Sequence, residues 1–318
     1  MQPFRAPNAA RLEPISAILE AFRTHQIVAL GEGAHNNNQS HALRLALIRD
    51  PRFPAVVNDI VVEFGSARYQ TVMDRFVRGG DVPYTELRKA WQDTTAAHPL
   101  WDVPIYEEFF RTVREVNASL SSDRQLRVLL GGPPIDWDAV TTHADITRWM
   151  EKGHPFARDL IAREVLSRHR RALMVYGDGH FLRNGRFQGM EGPAPTLLNV
   201  IETAGARVFS IWTNTTVELE RMQPDIASWP VPSLTVVRGT RLGTLDFKYF
   251  GGLETEPPSR MEEQFDAVLY LGPVSSITFS QLPVALCADQ DYTRMRLARM
   301  SFAPSRVDLA AFRKQCGL

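Results

Sequence analysis

The sequence predicts an α/β protein: a mainly parallel β-sheet flanked by helices, with a helical insertion and a C-terminal lid or hairpin region. Three observations predict it. Short β-rich apolar runs recur along the chain, longer stretches of helical period separate them, and several of the runs are apolar without interruption, as strands buried on both faces are. The 318 residues, 44% apolar and 23% charged, are enough to bury a substantial core, and we read 1–318 as a single domain.

In chain order, the predicted strands are QIVAL (26–30), DIVVEF (59–64), LRVLL (126–130), ALMVY (172–176), ARVFSIW (206–212) and DAVLYL (266–271). Between them, HALRLALIRD, RYQTVMDRFV, IYEEFFRTVREVNASL, ARDLIAREVLSRH and TLLNVIETAG carry apolar residues at helical spacing. The last of these ends at Gly205, which suits a helix C-cap before a strand. Residues 79–104 are too long and too aromatic for a plain connection and predict a helical insertion over one end of the sheet. Residues 213–262 hold five prolines and only one plausible strand, LTVV, and predict a lid or an added hairpin.

Lys plus Arg and Asp plus Glu both total 36, so bulk charge favours neither nucleic acid nor an anionic membrane. The amino terminus lacks the apolar stretch of a signal peptide, and no run approaches the roughly 20 apolar residues that span a bilayer. As given, the chain reads as cytoplasmic. Cys287 and Cys316 lie far from any second Cys or His at metal-ligand spacing, so we expect incidental thiols rather than a disulfide or a thiolate zinc site.

The polar residues fall at strand exits. The first strand runs into Gly31, Glu32 and His35; the second carries Glu63 and then Gly65; the third runs into GGPPIDWD; the fourth runs into GDGH, with Asp178 and His180. In an open parallel sheet the carboxyl ends share one edge, and ligands bind in the crevice there. Glu32, His35, Glu63, Asp136, Asp178 and His180 are therefore expected to converge. Glu63 interrupts a buried strand, where a charge is costly unless paired, and His180 or Arg44 are its natural partners. Asp136 could equally cap the following helix, Asp178 could be a turn former, and Arg44 could be a solvated helix residue. Neither GEGAH nor GDGH is a phosphate-binding loop.

These positions resemble the erythromycin esterase family, within a wider esterase-like group that includes haem-binding ChaN-like proteins. LGEGAH is similar to the family's strand followed by G-E-x-x-H, Arg44 to an arginine on the next helix, Glu63 to a glutamate ending the second strand, and GDGH to a closing H-N-x-H. The resemblance covers about residues 14 to 275. It implies an α/β core and hydrolysis of an ester or lactone of a small molecule by a histidine-activated water, without a required metal. On this carry-over, His35 is the general base, Glu32 and Glu63 orient histidines or the water, His180 assists proton transfer, and Arg44 stabilises charge. A neutral imidazole near its ordinary pKa of about 6.5 can take a proton from water, and a carboxylate on its other nitrogen fixes the tautomer. Asp136, Asp178 and Gln39 are expected to contact substrate. Gln39 stands where the family has a second acid, and Gly177 where it has the first closing histidine.

Two other readings use the same shell. Glu32, His35, Glu63 and His180 form a two-His, two-carboxylate set suited to a divalent metal with a bound water; the GDGH motif is also similar to the late G-x-x-H of TraB and Tiki proteins. A ChaN-like protein would instead bind haem or another planar ligand without catalysis, although no Cys-x-x-Cys-His motif is present.

Overall fold

A computed structural model describes residues 10–183, 195–222, 226–250, 259–303 and 308–318. Seven strands form one sheet: β1 (Ile27–Gly31), β2 (Asp59–Ser66), β3 (Arg127–Gly132), β4 (Ala172–Tyr176), β5 (Val208–Asn214), β6 (Ser233–Val236) and β7 (Ala267–Tyr270). Their order across the sheet is β3-β2-β4-β1-β5-β7-β6. All pairings are parallel except β6 with β7, so LTVV becomes an antiparallel edge strand.

The central strands are apolar because helices cover both faces. Val28, Leu30, Ile60, Val62, Leu173 and Val175 join one core, with residues of the helices Asn38–Arg49 and Pro104–Ala118. Ala29, Val61, Leu129 and Met174 join the other, with the helices Gly153–Ile161 and Leu197–Thr203. This is the strict alternation of a strand expressed on two buried faces. Local signals set the helix ends. The Asn37 side chain accepts from the backbone N–H groups of Gln39 and Ser40, Pro104 opens its helix, and Gly205 takes a φ of +92° just past Thr203.

The chain moves outward from β1 to β2 and β3, then returns to insert β4 between β2 and β1. The carboxyl ends of β2, β4 and β1 are thus neighbours at the centre of the sheet, with Gly31 opposite Tyr176 and Val62 opposite Val175. A sheet edge of this kind is where a doubly wound fold opens a crevice.

Two regions roof that edge. Within 79–104 lie the one-turn helices Tyr84–Leu87 and Lys89–Gln92, followed by an irregular stretch, Thr94 to Val103, that faces the crevice. The second contributor is the C-terminal segment, with helices Val284–Ala288, Gln290–Ser301 and Leu309–Cys316 around a small core of Leu282, Tyr292, Met300 and Phe312. Buried Arg296 clamps the two together, donating to Asp102 at 2.5 and 2.7 Å and to the Gln92 carbonyl at 3.0 Å.

Two expectations are corrected. The described residues of 213–262 supply the end of β5, the helix Val217–Met222 and β6, whose antiparallel pairing with β7 fits an added hairpin, but none lines the crevice as a lid would; 223–225 and 251–258 lie outside the described residues. Cys287 and Cys316 are joined in a disulfide, because the packing of helices Val284–Ala288 and Leu309–Cys316 brings their Cα atoms to 4.9 Å. Among the described residues no helix is long and apolar enough to cross a membrane.

Candidate active site

β1 delivers its two functional residues through a sharp exit. Gly33 has a φ of +70° and Asn36 one of +67°, left-handed positions that let the chain double back between the strand and the helix Asn38–Arg49. The turn is pinned from below by Asp178, which accepts from the Gly33 N–H at 2.6 Å and the Thr213 N–H at 2.8 Å. Held this way, His35 Nδ1 donates to Glu32 Oε2 at 2.9 Å, and the ring stands edge-on to Trp101 with centroids 4.8 Å apart. The other oxygen of Glu32 accepts from Arg44, which projects inward from its helix and is 1% exposed.

Glu63 reaches the same place through an irregularity in β2. The β2–β4 pairing runs to Val62, and the β2–β3 register shifts between Val62 and Ser66. A bulge of this kind re-aims a side chain out of a buried strand. Glu63 Oε2 accepts from the Gly177 N–H at 2.8 Å and Oε1 from His180 Nε2 at 3.0 Å. Gly177 leaves room for the His35 ring. A Cβ at this position would lie 3.0 Å from Cε1 and 3.2 Å from Nε2 of the His35 ring. A side chain at this position, where the resembled family has a histidine, would require the His35 ring to give way by a few tenths of an ångström.

A further histidine completes the group. His154, near the start of the helix Gly153–Ile161, bonds His180 Nδ1 through its Nε2 at 2.6 Å and the Pro195 carbonyl through its Nδ1 at 3.1 Å. Sequence reasoning missed it, because a histidine on an amphipathic helix, with no strand exit or motif beside it, carries no local signal.

Charge is balanced in pairs. Burial pushes the Glu32 carboxyl up, but the Arg44 guanidinium and the bond from His35 outweigh it, and the group lies below the usual carboxylate range. Burial pushes the His35 ring down, yet the bond to Glu32 and the charges of Glu63, Glu32 and Asp178 raise it to about 9. Glu63, also opposed by burial, is brought down to about 2 by His180, His35 and the Gly177 N–H. Burial, reinforced by His180, pushes His154 down to about 4. Asp178 is pushed up to about 7 by burial, despite its two backbone donors.

The structure brings Glu32, His35, Glu63 and His180 together with Arg44 and Asp178 behind them, and it separates the remaining two. Asp136 is carried away by the turn after β3: it caps the Trp137–Ala139 turn and pairs with Arg68 at 3.1 Å beside a different, smaller cavity. Gln39 points to the C-terminal segment, donating to the Ser276 carbonyl at 2.9 Å and accepting from the Thr278 N–H at 3.0 Å. Arg44 pairs with Glu32 rather than Glu63, and neither Arg44 nor Asp178 lines the crevice. None of these four is therefore placed to touch substrate.

His35, Glu63, His154 and His180 open onto a cavity of about 790 Å³. Its remaining walls are largely apolar, with Trp101 and Leu100 from the insertion and Leu282, Met300 and Phe312 from the C-terminal segment. A largely apolar cavity with a few polar groups in its wall is the usual arrangement of a small-molecule site.

Glu32, His35 and Glu63 each offer a ligand atom, mutually within 4.8 Å, so a divalent cation is a fair question. The donor set answers poorly. Both Glu32 oxygens are engaged, by Arg44 and His35, and both Glu63 oxygens, by His180 and Gly177. A cation would have to break these pairs and sit beside a permanently charged guanidinium. The residues fit protons better than a metal.

No family model and no curated protein matches the sequence. Solved structures do. A succinoglycan biosynthesis protein aligns with a TM-score of 0.63 at 9% identity, covering 87% of this chain and 96% of its own. A Bacillus cereus protein aligns at 0.58 and 10% identity, covering 85% and 92%. The erythromycin esterase EreC, in its open conformation, aligns at 0.55 and 12% identity, covering 84% and 94%. At these identities the likeness is one of fold, and the fold is erythromycin esterase-like.

Proposed function

We propose that this protein hydrolyses an ester, lactone or related acyl bond of a small molecule, using water activated by His35. The observation that carries the reading is the His35–Glu32 pair at the cavity floor: Nδ1 is bound to a buried carboxylate, which leaves Nε2 as the nitrogen available to reacting groups. A histidine so held has one tautomer, and its imidazolium is stabilised as it forms. Water would lose a proton to Nε2 while its oxygen adds to the acyl carbon, and the same proton would then pass to the departing alkoxide. Glu63, beside the ring, supports the positive charge during that interval. The fold shared with an erythromycin esterase is consistent with the reading.

His35 differs from a base poised near neutrality, because its proton is held to about pH 9. Only about one ring in a hundred is then free to act at pH 7. The test is turnover of activated esters by the wild type and by His35→Ala. Loss of at least about a hundredfold in kcat/KM with the fold intact is expected, and unchanged turnover in the variant ends the proposal. Activity that survives exhaustive chelation is also expected; restoration only by added zinc, manganese or cobalt would favour the metal-dependent reading.

A further inference from the structure

The reaction proposed above builds negative charge on the acyl oxygen, and the arginine expected to meet that charge is turned away. Arg44 pairs with Glu32 and does not line the cavity. Hydrogen bonds aimed at the place where charge develops supply a large part of the catalysis of acyl transfer. A histidine of the insertion stands where such a bond is needed. His98 lines the cavity within an otherwise apolar run of Ala96, Ala97, Pro99 and Leu100. The loop that carries it is tied down on both sides. Before His98, the carbonyls of Ala96 and Ala97 accept from buried Arg296 at 3.4 Å each; after it, Asp102 is held by the same guanidinium. Between these ties the His98 carbonyl accepts from the Leu100 N–H at 2.7 Å, in a tight turn centred on Pro99, whose ring fixes φ. One residue beyond Leu100, Trp101 is 4% exposed and packs edge-on to His35. The His98 loop therefore rests on the ring that activates the water. Burial first, then the charges of Arg296 and His35, hold the His98 imidazole below its ordinary range. Among the described residues its ring nitrogens bond neither side chain nor backbone. In either charge state an imidazole carries at least one N–H, and a neutral imidazole can polarise a carbonyl.

We propose that His98 is a catalytic residue: its ring N–H donates to the acyl oxygen of the substrate, in a hydrogen bond that strengthens as that oxygen becomes an oxyanion. The role rests on the proposed hydrolysis. As the water oxygen adds to the acyl carbon, the carbonyl π pair moves onto the acyl oxygen, where His98 meets it, and the water proton passes to His35 Nε2. The pair returns to the carbon–oxygen bond as the bond to the alkoxide breaks, and His35 gives its proton to the alkoxide. His98 keeps its own proton throughout.

The experiment uses the full chain, with 4-nitrophenyl butyrate as substrate and 4-nitrophenyl propylphosphonate, its anionic tetrahedral counterpart, as inhibitor. His98→Leu removes the donor from an apolar wall, and His98→Gln restores one as a side-chain amide. His98→Leu is expected to lower kcat about a hundredfold while changing KM less than about threefold, as the loss of one oxyanion donor does. The phosphonate should bind this variant more weakly by about the same factor. His98→Gln should recover both quantities to within about tenfold of wild type. The pH profile of kcat/KM should keep its shape in both variants, because the base is unchanged.

Wild-type kcat in His98→Leu overturns the proposal, whether or not KM rises. So does a His98→Gln protein no better than His98→Leu, which would make His98 a proton carrier. If the wild type turns over no ester, the proposed hydrolysis fails instead, and calorimetry with the phosphonate decides whether His98 holds a tetrahedral oxyanion. Weaker binding to His98→Leu than to the wild type then supports that contact; equal binding, or none to the wild type, overturns it.

Discussion

His35 shows how a residue's partners can reverse the inference drawn from its type. A free imidazole titrates near about 6.5, but here one carboxylate bonds the ring and another lies beside it, and the ring keeps its proton to about pH 9. We expect kcat/KM to rise nearly tenfold per pH unit from about pH 6 to about pH 9 and then level off; a flat profile over that range would remove His35 as the base. The same shift also contributes to stability. A folded-state value raised above the unfolded one contributes stability that is fully present below about pH 6.5 and lost as the pH rises through about 9, so activity increases as this stabilisation fades. Arg44 carries the complementary lesson. Reading it as a solvated helix residue or as a group that stabilises charge in the reaction assumes it has charge to spare, whereas it neutralises buried Glu32. Arg44→Met should destabilise the fold by about 3–5 kcal/mol, because one oxygen of buried Glu32 loses its permanently charged partner and only the bond from His35 remains. Urea denaturation measures this, and a loss below about 1 kcal/mol would show that Glu32 finds another partner.

At the scale of elements, the site depends on how three strand ends are finished. β1 ends in a turn with two left-handed residues, β2 in a register shift, and β4 in a glycine that cannot carry a side chain without pressing on His35. Asp178 ties the first of these to β5 through two backbone donors. Removing it in Asp178→Ala leaves two N–H groups unpaired, and we expect a loss of about 2–4 kcal/mol. Turnover should fall as well, as the turn that aims His35 loosens. Retained stability in thermal and urea unfolding would mean that water replaces the carboxylate. Glycines at strand exits and the acids and histidines beside them were legible in the sequence, because sharp turns and strand-end chemistry leave short local patterns. Asp136 shared that pattern and lies elsewhere, since the turn after β3 takes it to Arg68. A strand-end position specifies an edge of the sheet, but the direction of the following turn decides whether a side chain stays there.

At the scale of the molecule, the cavity has a floor made by the sheet and a roof made by two segments far apart in sequence. The insertion was visible as an overlong, aromatic connection. The C-terminal helices carry no such mark, and the prolines and sparse strands of 213–262 do not single out a lid, because they mark irregular chain wherever it lies. The Asp102–Arg296 clamp and the Cys287–Cys316 disulfide hold the roof together. Closing a loop between residues 29 apart restricts the unfolded chain by about 3–4 kcal/mol. Cys316→Ser, or reduction, is expected to lower stability by up to that amount and to raise KM more than it lowers kcat, since Phe312 and Gln315 line the cavity from the same helix. An unchanged melting temperature after reduction would show that the helices hold without the bond.

By itself, the sequence determined the α/β fold with its mainly parallel sheet and the convergence of Glu32, His35, Glu63 and His180, because hydrophobic period and strand-end position are local properties that a parallel sheet turns into one shared edge. Only the tertiary structure decided that Arg44 belongs to Glu32, that His154 stands behind His180, that two cysteines meet, and that the C-terminal helices close the cavity. Those are pairings between distant segments. Charge neutralisation, hydrogen-bond direction and packing select them only once the chain has folded.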